Sequence, residues 1–565
     1  MRLVTVKEMR ALEQAADDAG LSYAEMMERA GGAVAEAIEG IAPQGAVLVL
    51  VGPGNNGGDG LVAARMLAEW GYTVSVVFWR RENIEEDPLW SAAQAAGAQA
   101  AGAEPAGAEA ADQDSVGELA RDADIIVDAL LGTGAEGPLR GGLPELLQAV
   151  DAALEQRAAD SMGEPDLSDL RVAPIPDRPL LVAVDVPSGL NADTGEIDER
   201  ALPCDMTVTF AYPKRGHYLY PGAAHVGVLY VADIGIGEVV PDADESDSQV
   251  VTASEVASLL PQRPRSAHKG SFGKAMIVGG SVTYTGAPCL AAEAAYRVGA
   301  GLVTLGVPQV IHPIVAARVL EATHLLLPHT MGVLRADAER PLMENLEGYA
   351  ALLVGPGLGR EKETGEFLSA LLMGQRHAPR KAVGFQRLPP DDDTEPESEE
   401  RHLSPLVLDA DALNLLADMP PEWSQHLPQE TVLTPHPGEM ARLIGGEVQD
   451  VTADRLGMAR DKAAEWGCTV VLKGAYTVVA SAQGQVRVVP FATPALATAG
   501  TGDVLAGAIV GLIAQGLSGF DAAVCGAYLH GLAGELAEER NGAAGTVAGD
   551  LLPLLPEVLQ RLALS

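Results

Sequence analysis

The segment GPGNNGGDG (Gly52–Gly60) constrains this chain most. Five of its nine residues are glycine; the apolar run AVLVLV (Ala46–Val51) precedes it and a helix-forming stretch follows. A short run that is apolar at every position suits a strand buried on both faces of a parallel sheet. Between such a strand and a helix, glycine lets backbone amides approach an anion, and the helix start adds partial positive charge. The chain is therefore expected to be of the α/β class. Further strands are expected at Thr73–Phe78, Asp124–Leu131, Leu180–Val186 and Met206–Phe210, with helical stretches between most of them. Two helices should precede the first strand, because Thr5 with Glu8 and Ser22 with Glu25 form capping-box patterns.

The alternation stops in the acidic stretch Gly237–Gln249 and restarts at Lys274–Gly280. Strands are then expected at Gly301–Val307, Ala351–Gly355, Pro405–Asp411, Thr431–Pro435 and Thr469–Gly474, and apolar helices from Asp503 onward. A chain of 565 residues exceeds one hydrophobic core, so two domains are expected, 1–240 and 251–565. Ser91–Asp112, Ala159–Pro176 and Asp391–Glu400 carry too little apolar surface to pack, and should be surface insertions without chemistry.

Charge narrows the partners. Lys+Arg is 38 and Asp+Glu is 78, a net charge of −40. Such a surface repels nucleic acid and anionic membrane, so neither is expected as a partner. Excess acid with only eight lysines is also what a protein solvated in concentrated salt tends to show. The four cysteines, Cys204, Cys289, Cys468 and Cys525, have no CxxC spacing and read as reduced thiols. The N-terminus lacks the apolar core of a signal peptide, and no apolar run is long enough to span a bilayer. A cytoplasmic protein is expected.

Chemistry should gather at the strand ends. In a parallel sheet the carboxyl ends of neighbouring strands line one crevice, where ligands bind. Besides Gly52–Gly60, that edge receives DALLGTGAEGP (Asp128–Pro138) and VDVPSG (Val184–Gly189), so Asn55, Asn56, Asp59, Asp128, Asp185 and Ser188 are expected to converge. Taken singly, a strand-end aspartate is as often a helix cap. In the second half, ATAGTGD (Ala497–Asp503) places small residues and an aspartate before an apolar helix. The amides of Gly500 to Gly502 suit a phosphate, and Asp503 beside it is a candidate base.

These motifs bring in a resemblance. GPGNNGGDG, DALLGTG and VDVPSG resemble the signature of NAD(P)H-hydrate epimerases, over roughly Thr5 to Ile236. That resemblance implies substrate contacts from Asn55, Asn56, Gly57, Gly58 and Asp59, from Gly132, Thr133, Gly134, Ala135, Glu136, Gly137 and Pro138, and from Asp185. It implies a potassium ion on Asn56, Asp128 and Ser188; oxygen ligands suit a hard cation. Asp185, at a strand end, is the candidate proton shuttle. AGTGD resembles the anion hole of ribokinase-like kinases. With HKGSFGK (His268–Lys274), YTGAPCLAAEAAYRVGAGLV (Tyr284–Val303), VGPGLGR (Val354–Arg360), LDADALN (Leu408–Asn414), TPHPGEMARL (Thr434–Leu443) and LKGAYT (Leu472–Thr477), it resembles the ADP-dependent NAD(P)H-hydrate dehydratases, over roughly Val251 to Leu562.

The resemblance thus implies a Rossmann-like three-layer sandwich followed by a ribokinase-like one. Ala287, Gly357, His436 and Asp503 would contact the hydrated nucleotide, and Lys473, Gly474, Ala475, Tyr476, Thr477 and Gly502 the adenine nucleotide. Mg²⁺ would bridge the phosphates of ADP or ATP, with NADH and NADPH hydrates as substrates and a homo-oligomer as the assembly. The alternatives are a ribokinase-like kinase of a vitamin-type alcohol carrying an N-terminal nucleotide-binding module, and a nucleotide-binding scaffold without turnover. Intact Asp503 and its loop argue against the scaffold.

Overall fold

The computed structural model describes residues 1–101, 113–135, 137–162, 177–240, 247–374 and 403–564. The chain divides into two compact units, Met1–Ser246 and Asp247–Ser565.

Among the described residues the first unit is built on seven strands: β1 (Ala46–Val51), β2 (Thr73–Phe78), β3 (Gln99–Ala100), β4 (Ile125–Ala129), β5 (Leu180–Val184), β6 (Met206–Phe210) and β7 (Val228–Ala232). Their order is β3-β2-β1-β4-β5-β6-β7, and every pair is parallel. The order reverses between β1 and β4, which opens a crevice at their carboxyl ends. Alternate residues of β1 serve opposite faces. Val47, Val49 and Val51 pack with Val34, Ile38, Leu61 and Leu67, while Leu48 and Leu50 pack with Leu143, Leu147 and Val150. This is the three-layer sandwich with an apolar core on each side of the sheet. Both expected capping boxes form, at Thr5–Glu8 and Ser22–Glu25.

The second unit contributes β8 (Ser248–Val250), β9 (Lys274–Val278), β10 (Leu302–Pro308), β11 (Thr323–Leu327), β12 (His329–Thr330), β13 (Val333–Leu334), β14 (Ala351–Val354), β15 (Leu406–Leu408), β16 (Val432–Leu433), β17 (Thr469–Leu472), β18 (Val478–Ala480) and β19 (Val486–Val488). Ten of them form a sheet ordered β11-β10-β9-β14-β15-β16-β17-β18-β19-β8, and β12 pairs with β13 alone. From β11 to β17 the sheet is parallel; β17, β18 and β19 then pair antiparallel. The helix Thr501–Ala514 is almost wholly buried, and Gly507 packs so closely on the Ala291 carbonyl that a β-carbon would lie 2.1 Å from it. The helix is apolar all round because it is enclosed rather than amphipathic.

Two expectations are corrected. Ser91–Asp112 is not wholly an unpacked insertion. Pro88–Ala96 is a helix capped by Asp87, burying Trp90 and Ala93, and Gln99–Ala100 extends the sheet. Trp90, whose ring meets Phe78 edge-on at 5.1 Å, supplies the apolar anchor that composition undercounted. Residues 102–112, 163–176 and 391–400 of the three stretches lie outside the described residues. The strand expected at Pro405–Asp411 ends at Leu408, because Ala410 turns into the left-handed region (φ +50°) and a helix starts at Asp411. The strands β7, β8, β11, β12, β13, β18 and β19 were not expected from the sequence; β12 and β13 pair alone and the others sit at or near sheet edges, where the apolar runs are short or alternate with polar residues.

Candidate functional sites

In the first unit the glycine loop is shaped by close approach. A β-carbon on Gly52 would lie 1.8 Å from the Leu130 carbonyl, and one on Gly57 would lie 2.1 Å from the Gly52 carbonyl. Only glycine lets the loops after β1 and β4 meet. The helix Asn55–Glu69 starts there, capped by Gly54 with no side-chain bond. Asn55 is exposed, whereas Asn56, Gly57, Gly58 and Asp59 are buried. Asn56 Nδ2 donates to the Leu131 carbonyl at 3.0 Å. Thr133, Gly134 and Ala135 form the turn after β4, with Gly132 at its start 3.2 Å, β-carbon to β-carbon, from Asn56 were it to carry one. Gly137 and Pro138 follow, and Glu136 lies outside the described residues.

Asp128, Ser188 and Asn56 meet around Leu131. Ser188 Oγ donates to Asp128 Oδ1 at 2.6 Å, and the Ser188 amide donates to Oδ2 at 2.8 Å. The Leu131 amide donates to Ser188 Oγ at 2.9 Å. Burial raises the Asp128 carboxyl above its usual value, against the Ser188 and Leu130 hydrogen bonds. Among the described residues no basic side chain forms an ion pair with Asp128, whose two carboxylate oxygens instead accept from Ser188.

Asp185, just beyond β5, holds a left-handed backbone (φ +66°) and faces a buried basic group. Lys214 Nζ lies 2.5 Å from Asp185 Oδ1, 2.8 Å from Thr209 Oγ1 and 3.3 Å from the Phe210 carbonyl. Its side chain is 1% exposed, that of Asp185 14%. Thr209 Oγ1 donates to the same carboxylate oxygen at 2.9 Å. His217 Nε2 donates to the Asp185 carbonyl at 3.0 Å, and its Nδ1 accepts the Lys214 amide at 3.1 Å, so the neutral ring carries its proton on Nε2. Burial, then the Lys214 ammonium, lowers the His217 value to about 4. Burial opposes the Asp185 charge, but Lys214, with help from His217 and Thr209, outweighs it and holds the carboxyl below its usual value. Asp59 moves the other way. Burial, then the charges of Asp185 and Glu13, push it well above the usual range, against Lys214. Glu13 is raised for the same reasons, burial first. Two neighbouring carboxyls are thus driven apart, the pattern of an acid and a base.

In the second unit Gly357 (φ +64°) and Ala287 come together. A β-carbon on Gly357 would lie 2.7 Å from Tyr284 Cβ and 3.0 Å from Ala287 Cβ. Lys473, at the end of β17, has its Nζ 2.8 Å from Asp409 Oδ1 and 3.6 Å from Glu439 Oε2. Asp409 is 1% exposed. Its Oδ1 also accepts Thr434 Oγ1 at 2.6 Å, while its buried Oδ2 has no hydrogen-bond partner among the described residues. A β-carbon on Gly502 would lie 3.4 Å from Lys473 Nζ. Gly500 (φ +95°) caps the helix Thr501–Ala514, and Asp503 lies in its first turn. Burial, then the charge of Asp409, raises Asp503 to about 7, against Lys473. His530 Nε2 donates to the Thr501 carbonyl at 2.9 Å from beneath the loop.

His436 caps the helix Pro437–Ile444. Its Nδ1 accepts the amides of Gly438 at 3.0 Å and Glu439 at 3.3 Å, while its side chain stays 50% exposed. Gly474 (φ +144°) and Tyr476 (φ +52°) form the turn of the β17–β18 hairpin, with Ala475 and Thr477. Arg455 braces that turn from behind. It donates to the carbonyls of Ala475, Leu472 at 3.1 Å and Lys473 at 3.3 Å. Burial lowers its guanidinium to about 10.

Sequence reasoning named the strand-end motifs but not Lys214, His217, Thr209, Arg455 or His530. Asp409 and Glu439 fell inside quoted motifs without a role. The scarcity of lysine was the available signal for Lys214. The remaining residues reach the sites by folding alone.

Known proteins agree with both halves. Residues 275–379 and 395–557 match the family described as NAD(P)H-hydrate dehydratase, and residues 23–216 match the one described as YjeF-related protein N-terminus. The chain is 39% identical over 570 residues to the bifunctional NAD(P)H-hydrate repair enzyme Nnr of Moorella thermoacetica, covering 100% of this chain and 97% of that one. It is 35% identical over 551 residues to the protein of the same name from Coxiella burnetii, covering 97% of each. Among solved structures, the ADP/ATP-dependent NAD(P)H-hydrate dehydratase of Bacillus subtilis, co-crystallised with ATP and Mg²⁺, is 29% identical, with a TM-score of 0.45 over 55% of this chain and 98% of that one.

Proposed function

The chain belongs to the family of bifunctional NAD(P)H-hydrate repair enzymes, and from that premise we infer that its first unit epimerises hydrated NADH and NADPH while its second dehydrates the S form. The observation that carries the reading furthest is Asp503, in the first turn behind left-handed Gly500, with its carboxyl raised to about 7. A base poised near neutral pH is suited to take a hydroxyl proton.

In the second unit the hydrate's hydroxyl attacks the terminal phosphoryl of ADP, and Asp503 takes its proton. The amides of Gly500 to Gly502 face the charge on the transferred group. The phosphate ester leaves with a proton lost from the adjacent ring carbon, which restores the reduced ring. AMP and phosphate are the other products. Ala287, Gly357 and His436 would bound the hydrated ring, and the Lys473–Thr477 turn and Gly502 the adenine nucleotide. Mg²⁺ usually takes one or two carboxylates with substrate phosphates. The free Oδ2 of Asp409 and the carboxylate of Glu439 fit that need, and the ion would neutralise phosphate charge.

In the first unit the ionised Asp185 is the base for the hydroxyl proton. The hydroxyl carbon adjoins the ring nitrogen, so loss of that proton opens the ring to an aldehyde. Reclosure on the other face, with the proton returned, gives the opposite epimer. Asp59, raised by burial, is the complementary acid. Asn56, Asp128 and Ser188 would hold K⁺; the buried Asp128 carboxyl, with no ion pair among the described residues, fits a monovalent ion, which would offset its charge and fix the loop after β4. A homo-oligomer and a cytoplasmic setting belong to the same reading, and no helix among the described residues is long and apolar enough to cross a membrane.

The test is product analysis of S-hydrate incubated with ADP or ATP. The reading expects AMP and phosphate from ADP, lost in Asp503→Asn. A stable phosphorylated product would favour a vitamin-type alcohol kinase instead.

A further inference from the structure

The carboxyl end of β2 runs into Trp79, Arg80 and Arg81. Arg81 is already committed. Its Nε pairs with Asp87 at 2.7 Å, and its Nη1 donates to the Gly52 carbonyl at 3.1 Å. Trp79 is buried, and its indole donates to the Gly141 carbonyl at 3.0 Å, tying β2 to the loop after Pro138. Arg80 has a left-handed backbone (φ +52°), and its guanidinium lies 5.4 Å over the Trp79 ring. It passes so close to Gly141 (φ +66°) that a β-carbon there would lie 2.1 Å from Nη2. The glycine makes room for the guanidinium.

Arg80 and Arg140 line one cavity of about 200 Å³, together with Ala135, Pro138, Gly189 and Asn191. The cavity therefore adjoins the loop after β4 and the turn after Ser188. Both arginines are exposed, and neither forms an ion pair with a carboxylate among the described residues. In a chain of net charge −40 the long-range field repels phosphate. Two uncommitted guanidiniums at one cavity reverse that locally, and their planar forks suit a phosphate bidentately. Position says which phosphate. The helix start after β1 suits a pyrophosphate, and in sheets of this order the end of β2 reaches the ribose of the distal nucleoside.

We propose that Arg80 and Arg140 form a subsite for the adenosine 2′-phosphate, so that the first unit prefers NADPH hydrate over NADH hydrate. The subsite rests on the epimerase reading. Trp79 and Gly141 hold Arg80 in place, and Arg140 lines the same cavity.

The experiment measures kcat/KM for interconversion of the R and S forms of both hydrates, in the full chain and in Arg80→Gln, Arg140→Gln and the two Arg→Lys variants. Interconversion by the native chain is read first; its absence sinks the epimerase reading itself. Where it is present, the NADPH-hydrate to NADH-hydrate ratio should fall about tenfold or more in each Gln variant, mainly through KM, and recover in part with Lys. The native ratio should also decline with added salt. A ratio that stays within about twofold in both Gln variants overturns the subsite. So does an equal loss on both hydrates, which would place the arginines at the shared pyrophosphate. Arg140→Gln tests the proposal independently should Arg80→Gln misfold.

Discussion

Replacing Lys214 with Met should disable epimerisation by changing the charge state of Asp185 rather than by removing a substrate contact. Lys214 is 1% exposed and bonds Asp185 at 2.5 Å. Breaking a buried pair from one side leaves an uncompensated charge and typically costs about 3–5 kcal/mol. In the native chain Asp185 is held below its usual value, so it contributes stability above pH ~4 that is lost as pH falls through the folded value. With Met at 214 only Thr209 and His217 oppose burial. The carboxyl then rises above its unfolded value and the sign reverses, so that ionised Asp185 destabilises the unit above pH ~4. Epimerisation at pH 7 should fall about 10²-fold or more, and the acid limb of the pH–rate profile should move up. Denaturant melts of Lys214→Met, Asp185→Asn and the double variant give the coupling directly. The double variant should recover much of the stability lost by Lys214→Met alone. An unmoved acid limb, with additive stabilities, would refute the account of Lys214.

Other outcomes follow from the same geometry. Dehydration should rise with pH through about 7 as Asp503 loses its proton, and Asp503→Asn should lower it by about 10²–10⁴-fold, measured by AMP release. Because burial raises Asp503 above its unfolded value, its ionisation destabilises the native unit as pH rises; Asp503→Asn should stabilise the ligand-free chain at pH 8 by up to ~4 kcal/mol in denaturant melts. Arg455→Met should raise the KM for ADP with a smaller change in kcat, since the guanidinium braces the Lys473–Thr477 turn from behind; an unchanged KM would remove that role. Replacing K⁺ with Li⁺ should slow epimerisation while leaving dehydration of pure S-hydrate intact. A melting temperature that fails to rise in molar KCl would remove the salt-adapted reading of the acidic surface.

Much of the fold was legible because buried parallel strands are apolar throughout. The runs at Ala46–Val51 and Thr73–Phe78 coincide with β1 and β2. Lys473 and Asp503 were likewise legible as lone charged residues beside glycine. The antiparallel β18 and β19 were missed because the reversal depends on left-handed Gly474 and Tyr476, which no periodicity announces. The Pro88–Ala96 helix was missed because a run of alanines hides one anchoring Trp90. The electrostatics were the least legible. Asp59 and Asp185 read alike as strand-end carboxyls, and only folding brings Lys214, 29 residues after Asp185, to one of them. The same holds for Asp409, whose pairing with Lys473 spans 64 residues.

The most direct test of two complementary activities in one chain is recovery of reduced-nicotinamide absorbance from mixed R and S NADPH hydrate, with ADP, Mg²⁺ and K⁺. The native chain should restore all of it. Asp185→Asn should stop at the S fraction, and Asp503→Asn should restore none. Full recovery by Asp185→Asn would contradict the assignment of the first unit, and no recovery by the native chain with either ADP or ATP would contradict the second.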